Sequence, residues 1–218
     1  NGHYLDTKHP LITENLLGIK RVKGTYQKSK KPILINDLKT IINAIDKEKN
    51  EKKGIRNKAL LLIGFAGGFR RSELVEIVFE DIEFVNEGVK IFVKRSKTDQ
   101  SGEGMIKGIP YFANPNYCPV HSLKNWINEN KDKTGKIFNI SDKNVALIIK
   151  KYAEKAGLDQ SKYSGHSLRS GFATSTAEQG AEERSIMAMT GHKTTQMVRR
   201  YIREANLFKN NALNKIKI

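Results

Sequence analysis

Several features that would define a function are missing from this sequence, and each absence excludes a class of protein. The chain has 218 residues and a single cysteine, Cys118, so no intramolecular disulfide can form and a reducing cytoplasm is the expected compartment. No apolar run approaches the roughly 18 residues of a membrane-spanning helix. The N-terminal residues also lack a signal-peptide pattern, so a membrane partner is not expected.

The ligand patterns of metal and nucleotide sites are absent as well. Cys118 and His121 have the spacing of a metal-binding pair, but tetrahedral zinc needs a second pair. No paired carboxylates suggest a two-metal nuclease, and no glycine-rich loop suggests a phosphate cradle. We therefore expect neither a metal nor a cofactor. Residues 118–127 are better explained as the start of a helix in which Trp126 is packed.

Positive charge is what the chain has in excess. Lysine and arginine number 39 against 23 acidic residues, which gives a formal net charge of +16. Nucleic acid is the leading candidate partner, although a basic protein can also be merely soluble. Each duplex phosphate that it neutralised would steepen the salt dependence of binding by about 0.9 log units per log unit of salt. An apolar content of 38% predicts a folded core rather than disorder.

Hydrophobic periodicity and glycine positions predict an α+β fold, mostly α-helical with a small three-stranded antiparallel sheet. The predicted helices cover 38–45, 56–65, 72–78, 119–130, 145–156, 166–179, 182–190 and the segment around Tyr201. Strands are predicted at 82–85, 89–93 and 105–111, the first two joined by a hairpin turn at 86–88. Expected helix caps are Asn36 or Asp37, Ser141 and Thr194.

The chain is expected to divide near Pro32. Residues 1–31 resemble the last helix of a missing N-terminal domain followed by a basic linker, and a solvated tail explains them equally well. Residues 32–218 form the predicted compact domain, with 207–218 as a C-terminal helix or tail because its apolar residues have helical spacing. Because the sequence starts at Asn1 without methionine, we expect a piece of a longer protein.

Two short segments concentrate groups suited to phosphodiester chemistry. GHSLRSGFAT (165–174) contains His166 and Arg169, which share one face of a helix. GHKTTQMVRRYIR (191–203) contains His192 and Tyr201. Arginines can neutralise a phosphate, imidazoles can donate or accept protons and a phenol can be the nucleophile. Taken singly, each residue also has an ordinary explanation as a cap, a surface charge or a core tyrosine.

Two upstream segments add cations. GGFRRSEL (67–74) places either Arg70 or Arg71 after a glycine pair that allows close backbone approach, and spacing alone does not choose between them. Glu73 could pair with Arg70 and orient its guanidinium. Lys97, in the predicted hairpin turn, is a plausible proton donor to a departing alkoxide or simply a solvated lysine.

Together these segments resemble the tyrosine recombinase (phage integrase) family over about residues 56–203. The resemblance selects Arg70 rather than Arg71. It also identifies SKTDQ (96–100) as the hairpin segment that carries the catalytic lysine. The implied catalytic set is Arg70, Lys97, His166, Arg169, His192 and Tyr201. One departure is Arg71, which stands at a position that is commonly apolar in the family.

The family implies transesterification without metal, ATP or another cofactor. Tyr201 would attack the scissile phosphate and form a 3′-phosphotyrosyl bond, and a 5′-hydroxyl would later reverse the step. Arg70, Arg169 and His192 would stabilise the phosphate charge, His166 would accept a proton and Lys97 would be the general acid. The implied partners are double-stranded DNA and other protomers, four on two duplexes, with a monomer when DNA is absent. A bacterial or phage-encoded, nucleoid-associated protein is expected.

Seven basic residues are candidates for DNA contact: Lys20, Arg21, Arg71, Lys94, Arg95, Arg199 and Arg200. Two alternatives use the same fold, a type IB topoisomerase-like relaxase and a non-catalytic DNA-binding protein. An RNA-binding module is a weaker alternative because aromatic stacking motifs are lacking.

Overall fold

A computed structural model describes residues 6–24, 29–94, 103–130, 133–209 and 211–216. Helices and a small sheet make up that part of the chain, in agreement with the predicted α+β class. The helices are α1 (Pro10–Lys23), α2 (Ile35–Ile45), α3 (Glu51–Ala66), α4 (Arg71–Glu76), α5 (Pro119–Asn128), α6 (Asp142–Lys155), α7 (Ser167–Glu178), α8 (Glu183–Thr190) and α9 (Thr195–Ala205). The strands are β1 (Ile82–Val85), β2 (Gly88–Val93) and β3 (Met105–Pro110).

The sheet is an antiparallel meander in the order β1-β2-β3. Val85 pairs with Gly88, so the hairpin turn is the two residues between them, one fewer than predicted. In β2 and β3 the side chains of Val89, Ile91 and Ile109 are buried, whereas Ile106 on the opposite face is exposed. This alternation places one face of the sheet on the core and leaves the other face to solvent.

The C-terminal half of α3 lies at the centre of the core because residues 59–66 are apolar and buried on all sides. Leu60, Leu61 and Ile63 are fully buried, and α3 packs against α2, α4, α5 and α7. The predicted apolar face of α2 is confirmed, since its four members are all buried: Leu38, Ile41, Ile42 and Ile45. Burying a side chain of this size stabilises the fold by roughly 1.5–3 kcal/mol. The core thus holds α7 and the turn after α3 rigidly against each other.

Two helix starts differ from the prediction. The α2 cap expected at Asn36 or Asp37 is wrong, because the helix begins at Ile35 and the Asp37 carboxylate instead accepts hydrogen bonds from Lys31 and Tyr163. Helix α3 begins at Glu51, inside a charged segment expected to lie between helices. The Asn50 side chain caps it by accepting from the Lys53 amide.

Of the two remaining predicted caps, one makes the capping hydrogen bond and the other does not. Ser141 caps α6, as predicted, by accepting a hydrogen bond from the Asn144 amide. Thr194 stands at the N-cap of α9, but its side chain makes no capping hydrogen bond. Helix α9 is therefore fixed by packing on α7 and α8 rather than by its cap.

The segment before α2 runs along α7. The Ile33 amide donates to the Ser167 carbonyl at 2.9 Å, and the Lys31 amide donates to the Lys162 carbonyl at 2.7 Å. A Cβ atom added to Gly171 would lie 2.0 Å from the Ile33 carbonyl oxygen. Glycine at this position therefore allows the entering backbone to touch the helix.

The two ends of the described chain contribute little to the core. Helix α1 buries none of its residues and exposes Leu16, Leu17 and Ile19. The division at residues 1–31 stays a prediction. The prediction of a C-terminal helix or tail at 207–218 also stays a prediction: α9 ends at Ala205, and a short 3-10 helix follows at Ala212–Lys215. None of the described helices is both long and apolar enough to span a bilayer.

Candidate active site

Six of the seven residues singled out for catalysis or its support come together where α4, α7, α8 and α9 meet. They are Arg70, Glu73, His166, Arg169, His192 and Tyr201, which are joined directly or through one backbone carbonyl by the contacts described below. The seventh residue, Lys97, and the DNA-contact candidate Arg95 lie outside the described residues.

Arg70 stands at the N-cap of α4, and Glu73 reaches back to it. One carboxylate oxygen of Glu73 accepts from the Arg70 amide at 2.9 Å, and the other accepts from its guanidinium at 2.5 Å. Burial alone would raise the pKa of Glu73, but the hydrogen bonds from Arg70 outweigh burial and the pKa is lowered. Glu73 is therefore an ionised, buried anchor for the Arg70 guanidinium, which also donates to the Gly191 carbonyl.

Arg169 is buried in α7, with 1% of its surface exposed, so the alternative that it is a surface charge is wrong. Its guanidinium donates to the Gly68 carbonyl and contacts His192 Nε2, both at 2.9 Å. Burial, followed by the neighbouring charge of Arg70, lowers the Arg169 pKa to about 10, which still leaves it protonated at neutral pH. Burial in this setting fixes the direction of the guanidinium.

The turn that supplies the Gly68 carbonyl needs glycine for two reasons. Gly68 has φ of +55°, a left-handed conformation that strains other residues. A Cβ atom there would also lie 2.9 Å from Phe172 and 3.2 Å from Thr190. The predicted close backbone approach therefore occurs, although its partner is the protein's own α7–α8 packing.

His192 lies just after the left-handed Gly191 that ends α8, and it is buried. Its Nδ1 is 2.7 Å from the Thr190 hydroxyl, and its ring centre is 6.1 Å from that of Tyr201. Burial, followed by the charge of Arg169, lowers the His192 pKa to about 4. The imidazole is therefore neutral at physiological pH.

Tyr201 and His166 form the pair nearest to the surface. The Tyr201 hydroxyl lies 3.1 Å from His166 Nε2. Burial, followed by the charge of Arg169, lowers the His166 pKa, so this imidazole can accept a proton at neutral pH. Both residues line a pocket of about 270 Å³ that also includes Arg200. Tyr201 is thus half-buried beside an open pocket and is not an ordinary core tyrosine.

Burial has a larger effect on the pKa of Tyr201 than the neighbouring cations. Burial raises its pKa and outweighs the lowering by Arg169 and Arg200. The phenol therefore keeps its proton in the absence of a substrate, and removing that proton requires a base. His166 is within hydrogen-bond distance to supply one.

Lys107 was missed by the sequence analysis. Its side chain is fully buried in β3, and Nζ donates to the Gly67 carbonyl at 2.8 Å and to the Met189 carbonyl. Burial lowers the pKa of Lys107 to about 8. Lys107 joins the turn before Arg70 to the end of α8, as Arg169 joins Gly68 to His192. A lysine on the apolar face of a predicted strand, two residues before Ile109, was the available signal.

The six described candidates for DNA contact are all solvent-exposed. Lys20 and Arg21 lie in the last turn of α1. Arg199 is 3.4 Å from Glu183, whereas Arg200 borders the pocket of Tyr201.

Arg71 and Lys94 have partners within the protein. The stem of Arg71 crosses Gly165, where a Cβ atom would lie 1.9 Å from Arg71 Cδ, and its guanidinium is 3.7 Å from Asp142. Lys94 forms a 2.8 Å ion pair with the buried Asp81. Binding DNA through Lys94 would have to compete with that pair.

The described residues contain no group of three or more His, Cys, Asp or Glu side chains that could hold a metal ion. Cys118 is buried, its sulfur accepts from the Phe112 amide, and Trp126 donates to the Ile137 carbonyl. Both residues therefore serve the core, with Trp126 packed as predicted.

Comparisons with known proteins identify relatives of this chain. The model of the phage integrase family matches residues 33–207. The integrase/recombinase XerD homolog of Selenomonas ruminantium is 43% identical over 228 aligned residues, covering 99% of this chain and 66% of that protein. Tyrosine recombinase XerA of Pyrococcus horikoshii is 25% identical, covering 86% of this chain and 62% of the relative. The chain thus spans slightly less than two thirds of either relative.

A solved structure shows the same fold. The post-cleavage complex of the XerH site-specific recombinase with its difH substrate superposes with a TM-score of 0.65 at 20% identity, covering 84% of this chain and 54% of that one. The sequence match over residues 33–207 and this shared fold lead to one conclusion. The chain belongs to the phage integrase family, the tyrosine recombinases.

Proposed function

We propose that this chain is the catalytic part of a site-specific DNA recombinase that cuts and rejoins strands through a covalent tyrosine–DNA bond. One observation carries the proposal: the Tyr201 hydroxyl lies 3.1 Å from His166 Nε2, beside the pocket that both residues line. Buried Arg169 and half-buried Arg70 supply positive charge next to this pair. A nucleophile, a neutral base and two guanidiniums suit attack on a phosphodiester.

In the proposed first step, the Tyr201 oxygen bonds to the scissile phosphorus as His166 accepts the phenolic proton. The bond from phosphorus to the 5′-oxygen breaks, which leaves a 3′-phosphotyrosyl linkage and a 5′-hydroxyl. In the second step, a 5′-hydroxyl from another strand attacks the phosphotyrosine and releases the phenol. One phosphodiester replaces another, so the reaction needs no external energy source.

Arg70 and Arg169 would stabilise the charge on the non-bridging oxygens, and Glu73 would hold Arg70 in place. Electrostatic donors of this kind are worth roughly 3–4 kcal/mol each when removed singly. We assign protonation of the leaving 5′-oxygen to Lys97 on the family resemblance alone.

Covalent trapping tests the proposal. A duplex carrying a nick near the cleavage site loses a short leaving strand, so the protein stays attached and migrates as a shifted band under denaturing conditions. Tyr201→Phe should abolish the adduct and leave DNA binding nearly unchanged. Tyr117→Phe is the matched control, since its hydroxyl donates to Asn43 at 2.9 Å, outside the candidate site. An adduct formed by Tyr201→Phe at the wild-type level would remove Tyr201 from the role.

Trapping, combined with a strand-exchange assay, separates the alternatives. A non-catalytic DNA-binding protein would give no adduct with any substrate. A type IB topoisomerase-like relaxase would form the adduct and relax supercoils, but it would not exchange strands between two differently labelled duplexes. Recombination requires the exchanged product.

Double-stranded DNA is the proposed substrate, in the cytoplasm of a bacterial or phage-infected cell. The net charge of +16 supports a polyanionic partner. Exposed Arg71 and Arg200 flank the catalytic pair and are the proposed phosphate contacts nearest to it. Replacing either with alanine should weaken binding about equally for all sequences and reduce the salt slope by about one.

We further propose that residues 207–216 dock on a neighbouring protomer when four copies assemble on two duplexes. This segment exposes Leu207, Leu213 and Phe208, the last with 80% of its surface in solvent. A largely apolar groove of about 700 Å³, lined by aromatic residues including Phe65 and Phe172, offers a receptor of matching character.

Truncation after Asn206 should leave trapping on a single duplex intact and prevent the four-protomer complex, measured by mass on DNA. A truncated protein that still assembled fully would contradict docking in trans. The Lys209 side chain donates to the Glu178 carbonyl beside the groove, so binding to the same protomer is the competing outcome.

A further inference from the structure

The Thr190 side chain is a buried polar group that the proposed mechanism leaves without a role. Thr190 is the last residue of α8 and is fully buried. Its hydroxyl oxygen lies 2.6 Å from the Ile186 carbonyl oxygen and 2.7 Å from His192 Nδ1. The hydroxyl therefore stands between its own helix backbone and the imidazole.

The single hydroxyl hydrogen must point toward the Ile186 carbonyl. Two oxygens 2.6 Å apart repel each other unless a hydrogen lies between them, and the Ile186 carbonyl has none to give. The Thr190 hydroxyl must therefore donate to Ile186 and can only accept from His192. It follows that Nδ1 of His192 carries a hydrogen.

The opposite side of the ring leads independently to the same tautomer. Arg169 has only donors, and its terminal nitrogen is 2.9 Å from His192 Nε2. Nε2 must then present a lone pair, which in a neutral imidazole again places the hydrogen on Nδ1. A doubly protonated ring would direct an N–H group against the guanidinium.

The surroundings of the ring favour the neutral form. Charged groups face His192 from three elements besides its own: Arg169 on α7, Arg70 at the start of α4 and Lys107 on β3. His166 also faces it, and the ring of Tyr201 on α9 lies beside it. These positive neighbours and burial together lower the His192 pKa.

We propose that Thr190 is a positioning residue: its hydroxyl holds neutral His192 with the hydrogen on Nδ1, so that Nε2 accepts from Arg169 and aims the guanidinium at the phosphate. The last clause rests on the function proposed above, whereas the tautomer does not. In this state His192 orients Arg169 and does not donate from Nε2. Donation to a phosphate oxygen from Nε2 requires a second proton on the ring.

The tautomer can be measured on the whole chain without DNA. The chain has five histidines, and long-range proton–nitrogen NMR spectra of ¹⁵N-histidine-labelled protein distinguish a protonated from a bare ring nitrogen. The signals of His192 are identified by their loss in His192→Asn. At pH 7 we expect Nδ1 protonated and Nε2 bare. Nε2 protonated, or both nitrogens protonated, would overturn the proposal without any variant of Thr190.

Two variants test the hydroxyl itself. Thr190→Val keeps the shape and removes the acceptor, so the Nδ1–H group of His192 loses its hydrogen bond and the His192 nitrogen signals should shift. Thr190→Ser keeps the hydroxyl and should retain the wild-type spectrum. Unchanged His192 signals in a folded Thr190→Val protein would refute the role, and so would loss of the wild-type tautomer in Thr190→Ser.

Trapping rates test whether the Thr190 hydroxyl affects the reaction. Thr190→Val should trap DNA at least about tenfold more slowly, by analogy with groups that orient metal-bound histidines. Thr190→Ser should restore most of the rate. Equal rates for Thr190→Val and the wild type would overturn the positioning role. A wild-type protein with the expected tautomer but no adduct would instead contradict the function proposed above.

Discussion

Replacing Gly68 with alanine should destabilise the protein and disable the site, and a second glycine provides the control. Gly68 and Gly157 both have positive φ, +55° and +74°, so alanine costs about 1–2 kcal/mol in backbone strain at each. At Gly157 a Cβ atom meets nothing within 4 Å. At Gly68 it meets Phe172 and Thr190, and such overpacking costs about 1–3 kcal/mol more.

The expected losses are therefore about 1–2 kcal/mol for Gly157→Ala and about 2–5 kcal/mol for Gly68→Ala, measured by urea unfolding. The two variants should also differ in trapping. Because the Gly68 carbonyl accepts from Arg169, moving it by about 1 Å should slow adduct formation roughly 100-fold at temperatures where the protein is folded. Gly157→Ala should trap at the wild-type rate. Equal destabilisation by the two variants, or a normal rate for Gly68→Ala, would refute this reasoning.

Three further predictions concern ionisable groups. Glu73→Gln should slow trapping by loosening Arg70, and below pH 4.5 its stability should approach that of the wild type, because the lowered pKa of Glu73 contributes stability that is lost as the carboxylate is protonated. As the pH rises from 8 to 10.5, the wild type should gain stability relative to Lys107→Met, because in that interval the unfolded chain binds the lysine proton and the folded chain does not. A difference between their urea midpoints that did not change with pH would contradict the lowered pKa of Lys107. At DNA concentrations well below saturation, where the pH dependence reports the free protein, the trapping rate should fall only below pH 6.5, because the pKa of His166 is lowered; a midpoint above 6.5 under these conditions would contradict His166 as the base.

Most of the architecture could be predicted because it depends on local periodicity. The apolar face of α2, the paired strands and the glycine that ends α8 each leave a pattern within a dozen residues. The errors have physical causes. Asp37 was a plausible cap, but Lys31 and Tyr163, which is distant in sequence, offered its carboxylate stronger partners. The start of α3 was masked by charged residues whose side chains stay in solvent.

The candidate site was predictable in its members but not in its internal contacts. The proximity of His166 and Arg169 was readable from their spacing, although His166 stands at the N-cap of α7 rather than within the helix. The pairing of Glu73 with Arg70 was readable as well. The contacts of Lys107 were not, because they join segments that meet only in the folded chain. The contact between Thr190 and His192 is local, but it depends on the direction in which the His192 ring points. The raised pKa of Tyr201 also needed coordinates, since burial and charge oppose each other there.

The contact between Gly171 and the Ile33 carbonyl brings the backbone that enters the domain close to Arg169. Gly171 lies two residues after Arg169 on α7, so the same short stretch of helix supports both the incoming backbone and the deepest guanidinium. Displacing the Ile33 backbone would therefore disturb α7 within one helical turn of Arg169.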